Sequence, residues 1–365
     1  MFKSAALLSV LSVLVVPFLT ADVMVAHAEQ QDRTLAVIMT NDSVANEVKV
    51  YDAGSGNLLQ TLATHGKGGV SGNARGVKQY KGQLFAAVNN GSNTVAVFRR
   101  DDNELTLDKV VATTSAPVSV DFANGHMYVA GATTVDSFPL QGNRVGALDG
   151  TTGLELAGGG TPGAGSTAQV GAVNDQQLLV TIKTDPTPGT VDIVALHDGA
   201  ITGAQPTAAS APTGSLTPFG FSVYPDGSAI ITLAHSNQDG LFVNGAFAAV
   251  VGAGQLADCW MTRVGKYVFT ANTASKTLSR LIGTGEHIFV DDLVAATVTT
   301  GGNPSDLDAA NGVLGVIDGG AGPSHLSLFT YDRFGGLTAR GTPIDLTTQT
   351  ANGVAIIPPS DDSER

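Results

Sequence analysis

A repeated strand unit constrains the fold of this chain more than any other feature of its sequence. The unit consists of two short runs of alternating or β-branched residues around an Asn, Gly or Ser turn, and residues 82–98 are its clearest copy. Residues 125–131 and 265–279 repeat parts of it. Equivalent strands are predicted to begin near Leu35, Leu84, Met127, Leu178, Ala229, Tyr267 and Val313. Their spacing of roughly 40–50 residues is the length of a propeller blade.

Each unit can be divided into four strands, and the second unit shows this most clearly. Its strands are predicted at 76–80, 84–88, 95–99 and 105–111. The first unit has no innermost strand of its own, because it begins directly with 34–40, and residues 353–357 provide the missing strand. Such a closure pairs the two chain ends in one sheet and leaves only short outer edges. The sequence therefore predicts an all-β, seven-bladed propeller of four-stranded antiparallel blades. A β-sandwich or two barrels are the alternatives.

The two ends of the chain carry different signals. Lys3, the apolar run 5–18 and the Ala-His-Ala triplet at 26–28 have the pattern of a secretory signal peptide. An uncleaved anchor is the alternative, although the run is too short to span a bilayer and no later run is longer. We expect a signal peptide at 1–28, a propeller at 29–359 and a disordered tail at 360–365. The expected protein is exported, either periplasmic or secreted, and has no membrane span.

Composition excludes several classes of function. The net charge of −13 and the lack of any basic stripe argue against a nucleic-acid partner. With 45 Gly and 15 Pro, long helices and coiled coils are excluded as well. The single cysteine, Cys259, cannot form an internal disulfide. It is interpreted as a buried apolar group rather than a nucleophile, because no His is near it in sequence. No metal or nucleotide motif is present, and the chain is expected to be a monomer.

Several ordered segments resemble a known family. They are VNNGSNTVAVF at 88–98, APVSV at 116–120, TPFGF at 217–221, CW at 259–260, TANTASKTLS at 270–279, NPSDL at 303–307 and ANGV at 351–354. In this order they resemble the lactonase and 3-carboxymuconate cyclase type of seven-bladed propeller, particularly its exported bacterial branch. The resemblance implies opening or formation of a lactone ring at the mouth of the central channel. It also implies Arg, His and Glu side chains as the reacting groups, with no metal or organic cofactor.

The residues where the innermost strands begin are the candidate channel residues. Arg75 stands where the family has a substrate-binding Arg, but Gly76 replaces the usual His. Asp258 stands where relatives usually have Pro. The full predicted set is Arg75, Asp306 and Asp258 as catalytic residues, and Ser119, Gln169, Phe219, Trp260 and Asn352 as substrate-binding residues. Cys259 is expected at the same mouth.

This set could support lactone hydrolysis. Arg75 would hold a substrate carboxylate or the developing oxyanion by charge-assisted hydrogen bonds. Asp306 or Asp258 would act as general base on a water molecule if burial raised its pKa. Phe219 and Trp260 would pack against the ring and exclude water. The expected ligand is therefore a small molecule bound in the central channel.

Two observations favour a second class of function. No His falls where an innermost strand begins, and His325 in the stretch 322–325 precedes the third strand of its unit. Polar residues also line propeller channels simply because such channels hold water. The alternative is therefore a propeller without catalytic activity that binds a small ligand, a glycan or a protein partner.

Overall fold

The computed structural model describes residues 33–156, 159–163, 165–183, 188–252, 254–320 and 322–359. The predicted signal peptide at 1–28 and the predicted tail at 360–365 lie outside these residues. No helix in the described ranges is long and apolar enough to span a membrane. Two short 3-10 turns, Asn90–Ser92 and Ala234–Ser236, follow the second strands of their blades.

Seven antiparallel sheets make up the described chain, and each is one blade. From the innermost strand outward, blade 1 consists of β30 (Asn352–Ile357), β1 (Leu35–Met39), β2 (Glu47–Asp52) and β3 (Leu58–Ala63). Blade 2 consists of β4 (Val77–Tyr80), β5 (Leu84–Asn89), β6 (Thr94–Asp101) and β7 (Glu104–Ala112). Blade 3 consists of β8 (Pro117–Ala123), β9 (His126–Gly131), β10 (Thr134–Pro139) and β11 (Gly150–Gly153).

The outermost strand is broken in two in blades 4 and 7. Blade 4 consists of β12 (Thr167–Ala172), β13 (Gln177–Ile182), β14 (Thr190–His197), and the pieces β15 (Ala200–Ile201) and β16 (Thr207–Ser210). Blade 5 consists of β17 (Pro218–Val223), β18 (Ala229–Leu233), β19 (Gln238–Val243) and β20 (Ala246–Gly252). Blade 6 consists of β21 (Asp258–Val264), β22 (Tyr267–Asn272), β23 (Thr277–Gly283) and β24 (Ile288–Thr297). Blade 7 consists of β25 (Asn303–Ala310), β26 (Val313–Gly319), β27 (His325–Tyr331), and the pieces β28 (Leu337–Ala339) and β29 (Ile344–Asp345).

The ring closes as predicted from the two chain ends. Strand β1 pairs with β2 on one side and with β30 on the other, so that Val37 lies opposite both Val50 and Ala355. The seven second strands begin within one residue of their predicted positions. The seven-bladed propeller is confirmed, and the sandwich and two-barrel alternatives are wrong.

The second strands form the buried middle of each blade. All five residues of β1 and all six of β5 are buried, because these strands are covered on both faces by neighbouring blades. Phe85 of β5 and Phe98 of the adjacent third strand β6 are fully buried. Burying one such side chain stabilises the fold by about 1.5–3 kcal/mol.

Most innermost strands, although not β4, share an irregularity that matters for the channel. Their pairing with the second strand skips a residue near the start, as between Pro117 and Ser119, between Asp258 and Trp260, and between Pro304 and Asp306. A bulge of this kind bends the strand and changes the direction in which one side chain points. The sequence-predicted channel residues of these blades therefore do not all face the same way.

Candidate functional site in the central channel

The channel is crossed by the chain itself where the innermost strands begin. We call residues 73–75 the crossbar. Its hydrogen bonds reach four blades. The crossbar donates two of them, from Ala74 N to the Ala168 carbonyl of blade 4 (3.0 Å) and from Asn73 Nδ2 to the Val118 carbonyl of blade 3 (2.7 Å). It accepts the other two, at the Asn73 carbonyl from the Trp260 indole of blade 6 (2.7 Å) and at Asn73 Oδ1 from Asn352 Nδ2 of blade 1 (2.9 Å). Because these bonds run in several directions from one short segment, the crossbar closes this end of the channel.

Arg75 is the last residue of the crossbar and also lines the channel cavity described below. Arg75 has a positive φ of 55°, which non-glycine residues rarely adopt. Its carbonyl accepts hydrogen bonds from Val120 N (3.0 Å) and from the Ser119 hydroxyl (3.3 Å), so neighbouring blade 3 holds this conformation. Strain of this kind persists only where the surroundings enforce it.

Beneath the crossbar, toward the ends of the innermost strands, lies a cavity of about 240 Å³. Its lining alternates cations, carboxylates and small polar groups, contributed by six blades. The charged members are Arg75, Lys78, Asp121, Arg263 and Asp308, and the neutral ones include Gln79, Ser222 and Thr262. A ring of this kind can hold a small charged molecule in several orientations.

Lys78 is the central cation of this cavity. Its Nζ lies 3.9 Å from Asp121 Oδ1. The cost of desolvation lowers the pKa of Lys78, and repulsion from Arg75 lowers it further, whereas Asp121, Asp308 and Asp306 oppose the shift. The ammonium group therefore loses its proton more readily than a lysine in water.

The cavity carboxylates are tied to the backbone of adjacent blades. Asp121 Oδ2 accepts a hydrogen bond from Ala172 N (3.0 Å), and Asp308 Oδ2 accepts one from Ile356 N (2.9 Å). Each carboxylate keeps its second oxygen for other contacts. These two side chains thus link blades and at the same time make the cavity polar.

Asp306 lies between the crossbar and the cavity and is only 3% exposed. Burial raises its pKa to about 7, and the nearby charge of Asp308 raises it too. The Leu307 amide, which donates to Asp306 Oδ1 at 2.9 Å, and the charge of Arg75 act in the opposite direction. Asp306 therefore keeps its proton to a higher pH than an aspartate in water does, and the structure brings it together with Arg75.

Two predicted binding residues have their polar atoms occupied between blades. Ser119 is buried and accepts from Val170 N (3.2 Å). Gln169 is also buried, with its Nε2 donating to the Phe221 carbonyl (2.8 Å) and its Oε1 accepting from Phe221 N (2.9 Å). Neither side chain lines the cavity.

The predicted aromatic residues pack against the crossbar. The Phe219 and Trp260 rings meet edge to face at 5.2 Å between centroids and cluster with Ala74. Lys183 Nζ lies 5.6 Å from the centre of the Phe219 ring. Asn352 also binds the crossbar, so these three predicted residues belong to the closed end.

Asp258 is not brought together with Arg75. Its side chain is fully buried beside Asp239, in the interface between blades 5 and 6. Cys259, the next residue, is partly exposed, and burial of its thiol raises its pKa to about 12. A thiol of this kind stays protonated at neutral pH and is a poor nucleophile.

Histidine does not line the cavity: none of the six described histidines is among the lining residues. His325 begins the third strand of blade 7, as expected, and its Nδ1 lies 3.2 Å from Asp318 Oδ1.

Four charged cavity residues were missed by the sequence reasoning, namely Lys78, Asp121, Arg263 and Asp308. A signal for two of them was present. Asp121 and Asp308 each follow a predicted channel residue by two positions, Ser119 and Asp306 respectively. Because successive side chains in a strand alternate in direction, a spacing of two keeps them on the same side.

No protein-family model matches the sequence, and no curated protein matches it. Solved structures do match the fold. A candidate 6-phosphogluconolactonase from Bacteroides fragilis superposes with a TM-score of 0.63 at 14% identity, covering 90% of this chain and 99% of its own. The periplasmic gluconolactonase of Pseudomonas aeruginosa gives 0.64 at 13% identity, covering 89% of this chain and 99% of its own.

The chain has the propeller fold found in lactonases. The expected lactonase-type propeller architecture is thereby confirmed. The virginiamycin B lyase of Staphylococcus aureus also matches, with a TM-score of 0.54 and 12% identity over 78% of this chain and 92% of its own. Since lactonases and a lyase share this architecture, function has to be argued from the side chains of the channel.

Proposed function

We propose that this propeller hydrolyses the ring of a small carboxylated lactone in the cavity beneath the crossbar. The observation that carries the proposal is that Arg75 and Lys78 line one polar cavity and that Asp306 lies close enough to both for their charges to interact. Two cations suit an anionic substrate, and a carboxyl group with a pKa of about 7 suits a general base at neutral pH. The likeness in fold to lactonases is consistent with this chemistry.

The cations have separate tasks in this proposal. Arg75 binds the substrate carboxylate through its planar pair of N–H donors. Lys78 stabilises the negative charge that develops on the lactone carbonyl oxygen. Both interactions are stronger next to the protein wall of the cavity than in bulk water.

The proton is moved by Asp306. The ionised carboxylate removes a proton from a water molecule, and the oxygen of that water attacks the lactone carbonyl carbon. The tetrahedral intermediate then breaks its bond to the ring oxygen, which takes the proton back from Asp306. The products are a carboxylate and an alcohol in one open-chain molecule, and the released carboxylic proton passes to solvent.

The crossbar determines the end from which the substrate enters, and the cavity volume limits the size of the substrate. Since residues 73–75 close one end, the substrate enters where the innermost strands end. A cavity of about 240 Å³ lies below the usual range of ligand pockets, roughly 300–1,000 Å³, which favours a single-ring substrate. Phe219, Trp260 and Asn352 act here as positioning residues, because they hold the crossbar that carries Arg75.

A second candidate function is ligand binding without catalysis. It is favoured by the lack of histidine among the lining residues and by the structural hydrogen bonds of Asp121 and Asp308. In that case the same cavity would bind a small carboxylate and release it unchanged.

An activity assay on a panel of lactones distinguishes lactone hydrolysis from ligand binding without catalysis. Ring opening by the purified protein would be followed with a pH indicator on sugar-acid and muconate-type lactones. We expect Arg75→Gln to raise KM and Asp306→Asn to lower kcat, each by 100-fold or more. In the wild type, kcat/KM should rise with pH through about 7, because Asp306 must be ionised, and should fall again as Lys78 loses its proton.

Arg144→Gln is the matched control, since Arg144 is an exposed arginine outside the cavity and its loss changes the net charge equally. Turnover that survives in both cavity variants would reject the site. Binding of a product carboxylate by calorimetry, with no turnover on any lactone, would support the second function instead.

We also propose that residues 1–28 direct export and that the mature chain is a monomer. Amino-terminal sequencing of the protein from the producing cells should begin after Ala28. Light scattering should give the mass of one chain, and a dimer mass would contradict the monomer.

A further inference from the structure

A second polar site lies between blades 5 and 6, away from the channel cavity. Four side chains meet there: Asp239 from blade 5, and Asp258, Thr270 and Asn272 from blade 6. All four residues are fully buried. Six of their oxygens have no hydrogen-bond partner outside this cluster among the described residues, namely both carboxyl oxygens of Asp239 and of Asp258, Thr270 Oγ1 and Asn272 Oδ1. Within the cluster, Asp258 interacts with Asp239 and with the Thr270 hydroxyl.

Strand register brings these oxygens together. Asp258 of β21 and Asn272 of β22 lie directly opposite each other, so their side chains share one face of blade 6. Thr270 is two residues before Asn272 and points to the same face. Asp239 and Asp258 are close enough that each shifts the pKa of the other, and Thr270 interacts with Asp258.

An equivalent asparagine in blade 2 shows what is unusual here. Asn89 ends β5 as Asn272 ends β22, and the Nδ2 of each donates to the threonine opposite it, Thr94 or Thr277. Asn89 Oδ1 accepts from Asn46 Nδ2 (3.0 Å) and from Thr64 Oγ1 (2.7 Å).

In the described structure, no hydrogen-bond donor contacts Asn272 Oδ1. The Nδ2 of this asparagine donates to Thr277 and Ser279, and the residue directly opposite it on β21 is Asp258. Among the four side chains of this described cluster, only the Thr270 hydroxyl always carries a hydrogen for the other five oxygens. A proton shared between the two aspartates adds a single donor. A buried acceptor without a donor lowers the stability of the fold, and two buried carboxylates without a counter-charge lower it further.

We propose that Asp239, Asp258, Thr270 and Asn272 bind one Ca²⁺ ion between blades 5 and 6. Calcium takes six to eight oxygen ligands and prefers carboxylates together with neutral oxygens. The two carboxylates neutralise its charge, and the six free oxygens match its coordination number. Mg²⁺ keeps several waters and demands a strict octahedron, which suits a dry interface less well. No three His, Cys, Asp or Glu side chains form a metal-binding group in the described part of the chain, so the neutral oxygens are essential to this site.

The test uses the whole mature protein, stripped with EGTA and then given CaCl₂ or MgCl₂ at equal ionic strength. Elemental analysis after dialysis against 1 mM CaCl₂ should find one calcium per chain. Thermal unfolding should shift upward by several degrees with Ca²⁺ and by much less with Mg²⁺, since a ligand that binds only the folded state stabilises it. Asp239→Asn should weaken the calcium affinity at least tenfold.

Asp192→Asn is the matched control, because Asp192 is an equally buried aspartate in blade 4 that is not part of this cluster. It should keep the wild-type calcium response. If Asp239→Asn does not fold by circular dichroism, Thr270→Val serves as the ligand variant and should weaken calcium affinity as well. Absence of bound calcium and of any thermal shift in the wild type would overturn the proposal, as would an unchanged calcium affinity in the ligand variants.

Discussion

The interface between blades 1 and 2 and that between blades 5 and 6 place an asparagine at the same strand position with opposite results. Around Asn89, amide and hydroxyl groups supply both donors and acceptors, and the network closes on itself. Around Asn272, the facing groups are Asp239 and Asp258, and six oxygens are left over.

Each asparagine ends its second strand and lies opposite a threonine, so the chemistry of the other neighbouring side chains accounts for the difference. An asparagine oxygen is satisfied by neighbours that carry N–H or O–H groups, and carboxylates carry none. A closed network stabilises its interface with nothing added. An acceptor cluster needs a proton, water or a cation from outside, which makes its stability depend on the solution.

The largest effect should come from breaking the closed network. Asn89→Ala removes a fully buried side chain, an acceptor of Asn46 Nδ2 and Thr64 Oγ1, and the donor to the Thr64 carbonyl. We therefore expect a loss of about 3 kcal/mol in the free energy of unfolding. Asn272→Ala in calcium-free buffer should cost about 1 kcal/mol, because its oxygen has no partner to lose. Urea titration of both variants measures this. Equal losses would mean that the two interfaces do not differ in the way described.

A smaller effect concerns pH and a third interface, between blades 3 and 4. Burial raises the pKa of Asp192 to about 7, although the Glu155 amide donates to Asp192 Oδ2 at 2.8 Å. In the unfolded chain this carboxyl ionises near pH 3.8. Its contribution to stability is therefore complete below about pH 4 and is lost as the pH rises through 7. We expect Asp192→Asn to remove about 2 kcal/mol of the fall in unfolding free energy between pH 5 and pH 8.

Urea titrations of the wild type and Asp192→Asn at several pH values give this difference directly. Because the two proteins share every other titrating group, the comparison isolates Asp192. Parallel stability curves over this range would show that the buried carboxyl is already ionised.

The smallest effect should appear at the crossbar, which has donors and acceptors like the interface of blades 1 and 2. Trp260→Phe keeps an aromatic ring against Phe219 but removes the indole donor to the Asn73 carbonyl. The other three crossbar bonds remain, so we expect a loss of about 1 kcal/mol in unfolding free energy. Thermal unfolding with calorimetry is the measurement. A loss beyond about 3 kcal/mol would instead indicate that ring packing dominates at this position.

Much of the fold was predictable because it rests on local patterns. The alternation of apolar and polar residues along each strand, and the turn residues between strands, recur in every blade. The first unit begins at residue 34 without an innermost strand, and one extra strand at 353–357 matches that gap. The pairing of Arg75 with Asp306 was predictable for a related reason, since both stand near the start of innermost strands, and such strands meet at the axis.

By itself the sequence determined the number of blades, their order and the closure of the ring, because these depend on the period of hydrophobic and turn residues along the chain. Only the tertiary structure decided which polar side chains meet. Asp239 lies 19 residues from Asp258, and Asn73 bonds to residues from Val118 to Asn352. Such contacts depend on which face of each strand turns toward which neighbour, and a bulge of one residue reverses that face. The bulges separated Asp258 from the channel and left it buried beside Asp239.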